Sequence, residues 1–146
     1  MLDGLFVTPA VTAITEALAS AGATEGPLVV VGNAKLASAL GDKREVIAAG
    51  LSPRAAKKLP AAQADTTSLE AGSVAAVIGV DITDADDWEA TLREWSRVVK
   101  DGGAIVLVDK GHAAEASRRA LCAGLSEIEQ RHAGRAVVTS GLVTQD

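Results

Sequence analysis

One cysteine, two histidines, no tyrosine, one phenylalanine and two tryptophans stand among 146 residues. The single thiol, Cys122, excludes an intrachain disulfide and any zinc site made of several cysteines. With only Phe6, Trp88 and Trp95 as aromatics, the chain offers no stacking platform for single-stranded nucleic acid. Its core has to be assembled from small aliphatic side chains. Four prolines are scattered rather than gathered into a linker, and no internal repeat or low-complexity tract divides the sequence. No apolar run reaches the roughly 18 residues of a membrane-spanning helix, and Met1 to Phe6 lacks the basic start of a secretory leader. A net charge of −5 gives no general electrostatic hold on nucleic acid or an anionic membrane. These absences predict a cytoplasmic protein that binds neither nucleic acid nor membrane and holds no metal.

What is present is a 48% hydrophobic chain, enough to bury one core, so residues 1–146 are expected to form a single domain. Thr8-Pro9 supplies an N-cap and a first-turn proline, and Val11, Ile14 and Leu18 follow at helical spacing up to Gly22. This predicts a short amphipathic helix at about 9–21. Leu28 to Val31 is a continuous apolar run ended by Gly32, the pattern of a strand buried on both faces. Leu36, Ala37 and Leu40 return to helical spacing, with Gly41 as the stop. Glu45 to Ala49 then reads as a strand, Gly50-Leu51 as a turn, and Ser52-Pro53 as the start of a helix through Leu59. Ala61 to Asp65 suits a short edge strand, and Val74 to Val80 a central one. Asp84 is placed to cap a helix with Asp86 and Asp87 in its first turn, and Trp88, Leu92, Trp95 and Val99 form its apolar stripe. Lys100 to Gly103 should break that helix before the buried strand Ala104 to Val108. A last helix, about His112 to Cys122, stops at Gly124 with apolar Leu125 after it. Ser126 to His132 and Arg135 to Val143, joined at Ala133-Gly134, are close enough to pair as an antiparallel hairpin. Alternating strands and helices force a mostly parallel sheet with helices on both faces. The fold class is therefore α/β, a three-layer α/β/α sandwich with a C-terminal antiparallel hairpin.

Single residues with chemical potential read more simply as structure. His112 stands at a helix start, where an acid or base could act, but a solvated histidine there needs no further role. His132 has polar neighbours and should face outward, and two histidines twenty residues apart make no metal motif. Cys122 has no partner base for nucleophilic work and reads as a small buried apolar residue. Lys43, Arg44, Arg54, Lys57 and Lys58 gather around the second strand, either as a solvated helix face or as a docking patch for an acidic partner. Gly32-Asn33-Ala34-Lys35 meets neither the Walker spacing nor the dinucleotide glycine pattern.

The run Trp95-Ser-Arg-Val-Val-Lys-Asp-Gly-Gly-Ala-Ile-Val-Leu-Val-Asp109 resembles the helix, R-V-L-K-P-G-G turn and fifth strand of the class I S-adenosylmethionine-dependent methyltransferases, with Asp101 where proline is usual. Val46 to Pro53 is similar to their second strand and D-L-S-P helix start. Ala64-Asp65, Ser68-Leu69 and Gly72 to Ile78 resemble the loop and strand that follow. The likeness runs over roughly residues 28 to 143. It implies a methyltransferase-type sheet and a cofactor site in which Gly32 and Asn33 approach the methionine part, Asp65 reads the adenine amino group and Asp81 lies on the substrate side.

Two departures weaken that site. The turn after the first strand keeps one glycine, Gly32, where the family has two or three to let the backbone approach the cofactor. Gly50 stands where the family has the carboxylate that accepts both ribose hydroxyls, and each lost partner would cost about 1 to 3 kcal/mol. The expected protein is thus a catalytically degenerate methyltransferase-like domain with no cofactor of its own. It should act as a protein-binding or assembly module and self-associate through Phe6, Val7, Val11, Ile14 and Leu18. The alternative is a small S-adenosylmethionine-dependent methyltransferase with an atypical loop, its cofactor held by Gly32, Asn33, Asp65 and Asp81. No catalytic residue is identified.

Overall fold

A computed structural model describes residues 2–23, 25–32, 34–41, 44–49, 69–80, 87–134 and 136–144. In chain order these form α1 (Leu2–Ser20), β1 (Leu28–Val31), α2 (Ala34–Gly41), β2 (Val46–Ala49), β3 (Val74–Val80), α3 (Trp88–Val98), β4 (Val99–Asp109), α4 (Ala113–Cys122), β5 (Ser126–Ala133) and β6 (Ala136–Leu142). The described strands make one sheet in the order β2-β1-β3-β4-β6-β5. Strands β2, β1, β3 and β4 are parallel, and β6 pairs antiparallel with both β4 and β5. The α/β sandwich with its closing hairpin is the fold that the alternation of elements predicts.

Side-chain alternation along the strands divides the core into two layers. Ile14 and Leu18 of α1 and Leu36 and Leu40 of α2 pack with Leu28, Val30, Ala76, Ile78, Val106 and Val138 on one face. Leu92, Trp95 and Val98 of α3 and Ala116 and Ala120 of α4 pack with Val29, Val77, Ile105 and Leu107 on the other. All seven residues of β3 are buried, which is why this strand reads as an unbroken apolar run.

Several local expectations are corrected. Helix α1 begins at Leu2 and carries Pro9 inside it rather than at its first turn. Proline there removes one helical N–H, and burial of Ala10, Ala13, Ile14, Ala17 and Leu18 holds the helix across it. The same burial removes Ile14 and Leu18 from any free contact surface. Val11 is packed partly against that core, and the side chains of Phe6 and Val7 lie outside the described part of the helix.

Helix α3 starts at Trp88, with Asp87 at its N-cap position making no side-chain capping bond. It ends at Val98, so Val99, with φ −80° and ψ 136°, already belongs to β4. Lys100 to Gly103 continue that strand because Gly102 N–H donates to the Val143 carbonyl and Val143 N–H to the Gly103 carbonyl, both at 2.8 Å. A pairing partner so far along the chain is invisible to local spacing. Cys122 is exposed, not buried. The buried stripe of α4 runs Ala116 to Ala120 at i, i+4, and a position two residues further turns to the opposite side. At the end of α4, Gly124 N–H donates to the Leu121 carbonyl and Leu125 N–H to that of Ala120, closing the helix as its glycine predicts. The expected edge strand Ala61 to Asp65, the helix Ser52 to Leu59, and Asp84 and Asp86 lie outside the described residues.

Candidate functional site

Strand β1 connects through α2 to β2 on one side, while β3 flanks it on the other. The chain therefore reverses its direction of growth between β1 and β3. In open α/β sheets, ligands bind outside the carboxyl ends of the strands at such a switch point.

Gly32 sits there. Its φ is +91°, a conformation that side chains other than glycine rarely adopt, and a Cβ on it would lie 3.3 Å from the Val80 carbonyl oxygen. Its N–H donates to the Ala49 carbonyl at 3.0 Å. The end of β1 is thereby held between the ends of β2 and β3. Helix α2 is described from Ala34, so no more than two residues separate it from the end of β1 at Val31. Asn33, Asp65 and Asp81, and Gly50 at the ribose position of the resemblance, lie outside the described residues. Of the expected cofactor contacts, the structure describes Gly32.

Sequence reasoning misses one acidic residue. Asp109 ends β4, is 2% exposed, and pairs in register with Val137 of β6. Ionised residues are almost never fully buried without partners, and Asp109 has one, so its burial at the carboxyl end of β4 is that of a satisfied carboxylate. Its signal in the sequence is an aspartate directly after the apolar run Ala104 to Val108, and there it reads only as the last letter of the strand that carries the resemblance. On the adjoining hairpin, Gln130 Nε2 donates to the Ala113 carbonyl at 2.6 Å and to Thr139 Oγ1 at 3.0 Å, fixing the first residue of α4 to β5 and β6.

Both histidines are exposed. His112 occupies the N-cap position of α4 with φ 60° and no side-chain capping bond, and it is exposed. His132 is exposed on β5. Among the described residues, no group of three His, Cys, Asp or Glu is arranged to hold a metal ion.

Charge on the helices is largely paired. Glu115 accepts from Arg118 Nε at 2.6 Å and Arg119 Nε at 3.1 Å, and Arg119 lies 5.0 Å from the Trp88 ring centroid. The Arg118 hydrogen bond is the main cause that holds the Glu115 carboxyl at about 2, well below the ordinary carboxylate value. Glu115, Arg118 and Arg119 stand at i, i+3 and i+4, so this network is legible in the sequence. Arg44, expected in a basic cluster, instead donates to the Ala23 and Gly26 carbonyls at 2.6 and 2.7 Å. Burial pushes its pKa down. Lys43, Arg54, Lys57 and Lys58 lie outside the described residues.

No family model matches the chain, and no curated protein matches it in sequence. Solved structures do match in fold. A putative S-adenosyl-L-methionine-dependent methyltransferase from Methanococcus maripaludis is 15% identical, with a TM-score of 0.73 over 97% of this chain and 88% of that one. A complex between the Haloferax volcanii Trm112 methyltransferase activator and the putative methyltransferase gives a match at 16% identity, with a TM-score of 0.69 over 83% of each chain. The T. thermophilus 16S rRNA N2 G1207 methyltransferase, in complex with AdoMet and guanosine, is 18% identical with a TM-score of 0.65, and the match takes in 84% of this chain and 36% of that one. The chain has the fold of the S-adenosylmethionine-dependent methyltransferases.

Proposed function

We propose that this domain is a methyltransferase fold acting as a protein-binding or assembly module, without methyl transfer of its own. The observation that carries the reading is the two-residue connection between β1 and α2. A glycine-rich loop that wraps the methionine part of the cofactor needs more chain than residues 32 and 33 supply, and Gly50 cannot accept a side-chain hydrogen bond from a ribose hydroxyl. The residues present thus fit S-adenosylmethionine poorly, and no catalytic step is derived through it.

The structure of a similar fold in complex with a methyltransferase activator supports protein partnership for this one, either with another protein or with a second copy. No helix among the described residues is long and apolar enough to cross a membrane. Arginines of α3 and α4 are paired with glutamates, which supports a module that does not grip nucleic acid, although one similar fold is an rRNA methyltransferase. We place its work in the cytoplasm.

A second reading is favoured by Gly32, whose positive φ and approach to the Val80 carbonyl retain the geometry of close backbone contact. In that reading the chain is a small S-adenosylmethionine-dependent methyltransferase, with Gly32, Asn33, Asp65 and Asp81 lining the cofactor. Thermal unfolding with S-adenosylhomocysteine separates the two. Ligand at about 100 times its Kd stabilises by about 2.7 kcal/mol, a rise of roughly 5–10 °C in melting temperature for a chain of this size. The module reading predicts no rise at millimolar ligand. A rise that the Asp65→Ala variant loses would establish the enzyme reading.

A further inference from the structure

Strand β5 ends the sheet, and no described strand pairs with its outer side. Its register with β6 fixes which backbone groups face outward. Only two residues separate Ala133 from Ala136, and these two pair in register, so they exchange both of their hydrogen bonds. Bonded and non-bonded pairs alternate from there, which turns the N–H and C=O groups of Gln130 and His132 away from β6. Among the described residues, no backbone hydrogen bond from another element reaches them. The strand has neither proline nor lysine to blunt this edge, and its irregularity, with Glu127 at φ 48°, lies before the regular stretch 129–133.

Such an edge is a template for another strand, and the side chains of β5 select which one. Glu129 and Arg131 lie on the face toward α1, where Arg131 donates to Ser20 Oγ at 2.9 Å and pairs with Glu129 at 3.1 Å. Alternation puts Ile128, Gln130 and His132 on the face toward α4, where Gln130 holds the Ala113 carbonyl and Ile128 packs against the core. A second copy added antiparallel, across a two-fold axis normal to the sheet, meets β5 with like faces on the same side. Centring that axis on Glu129 or on Arg131 sets two like charges face to face, which is unfavourable. Centring it on Gln130 sets each Glu129 opposite the other copy's Arg131, and each Ile128 opposite the other copy's His132. Gln130 is also an outward-bonding position, so the same axis lets the two Gln130 residues exchange both backbone hydrogen bonds. Backbone register and side-chain charge agree on one arrangement.

Space beside this edge is open as well. A cleft of about 500 Å³ takes in residues of α1, Pro9 and Ala13 among them, and the end of β5. Among the described residues its lining includes none of β6, so it lies at the outer margin of the sheet, where a second copy arrives. We propose that the free edge of β5 pairs with the same edge of a second copy, antiparallel about Gln130, joining two sheets into one continuous sheet. The proposal rests on the assembly-module reading and supplies its surface and its partner.

Sedimentation velocity of the whole chain, from about 1 μM to 1 mM so that weak association is seen, should show a concentration-dependent rise to the mass of two chains. Glu129→Arg changes an exposed side chain and sets arginine opposite arginine, so it should weaken the dimer about tenfold or more. Arg131→Glu should do the same by setting glutamate opposite glutamate. An equimolar mixture of these two variants restores opposite charges at both positions and should associate about as tightly as the parent. His132→Pro removes an outward N–H where edge strands accept proline, and should abolish the dimer with an unchanged circular dichroism spectrum. That variant tests the edge independently of Arg131, whose bond to Ser20 ties β5 to α1. A chain that stays monomeric at about 1 mM, or a dimer that neither Glu129→Arg nor His132→Pro weakens, overturns the proposal. S-adenosylhomocysteine titrated into the same samples separates the two claims. A monomer that binds no cofactor overturns the dimer alone, and a dimer that binds it upholds the dimer and overturns the module reading alone.

Discussion

The indole of Trp95 fills the space that a side chain on Gly79 would need. Its Cη2 and Cζ3 atoms lie where a Cβ on that glycine would point. The central strand β3 is thereby left bare at one position so that one of the two tryptophans of α3 can lie against the sheet, and Trp95 is 3% exposed as a result. A chain with three aromatics places one of them there.

Gly79→Ala should therefore cost about 1–3 kcal/mol by overpacking, and Trp95→Ala about 3–5 kcal/mol through the cavity it leaves. Urea denaturation of the double variant should show less than the sum, because removing the indole makes room for the new methyl group. Additive losses would mean that the two residues do not share the space.

Gly32→Ala should lose about 1–3 kcal/mol, the usual cost of a non-glycine residue held in a sparsely populated backbone region, compounded by its approach to the Val80 carbonyl. Denaturant midpoints measure it. A neutral substitution would place this turn in a different conformation in solution.

Leu18→Asp should unfold the protein rather than dissociate an oligomer. Leu18 is 4% exposed within the α1 core layer, and an unpaired carboxylate there carries a penalty of several kcal/mol. Circular dichroism combined with sedimentation distinguishes the outcomes. A folded variant with a smaller sedimentation coefficient would return α1 to the role of a contact surface. Leu121→Lys, at an exposed position of α4, should change stability by no more than about 0.5 kcal/mol.

Acid should weaken the α4 network over a defined interval. The folded Glu115 carboxyl is held at about 2 against an ordinary value of 4.5. A depressed folded pKa contributes stability that is fully present above the ordinary value and is lost as pH falls toward the folded one. The stability difference between the parent and Glu115→Gln should thus be constant above about pH 5 and shrink from there toward pH 2. Because these side chains are partly exposed, added salt should reduce the difference at every pH. A difference that does not change between about pH 5 and 2 would show that the pairing does not persist in solution.

The layers of this fold are legible in the sequence because they depend on period and punctuation. Leu28–Val31, Val74–Val80 and Ala104–Val108 read as buried strands, and Gly124 with Leu125 closes α4 as written. Where local rules meet tertiary demands, the latter prevail. Pro9 signals a helix start but lies inside α1, since the buried residues from Ala10 to Leu18 hold the helix together. Lys100 to Gly103 signal a break but join β4, since Val143 pairs with them from the far end of the chain. The site is legible only at Gly32, where a turn residue ends a strand. Asp109 requires the three-dimensional burial that makes a carboxylate unusual, and Asn33, Asp65 and Asp81 lie outside the described residues.

Whether the two-residue turn after β1 can hold S-adenosylmethionine decides between a module and an enzyme, and isothermal titration calorimetry of the purified chain asks that question without an assumed methyl acceptor. A module without cofactor should give no binding heat up to millimolar ligand. Micromolar binding, about −8 kcal/mol, would contradict this and make the chain a cofactor-binding methyltransferase in search of its acceptor.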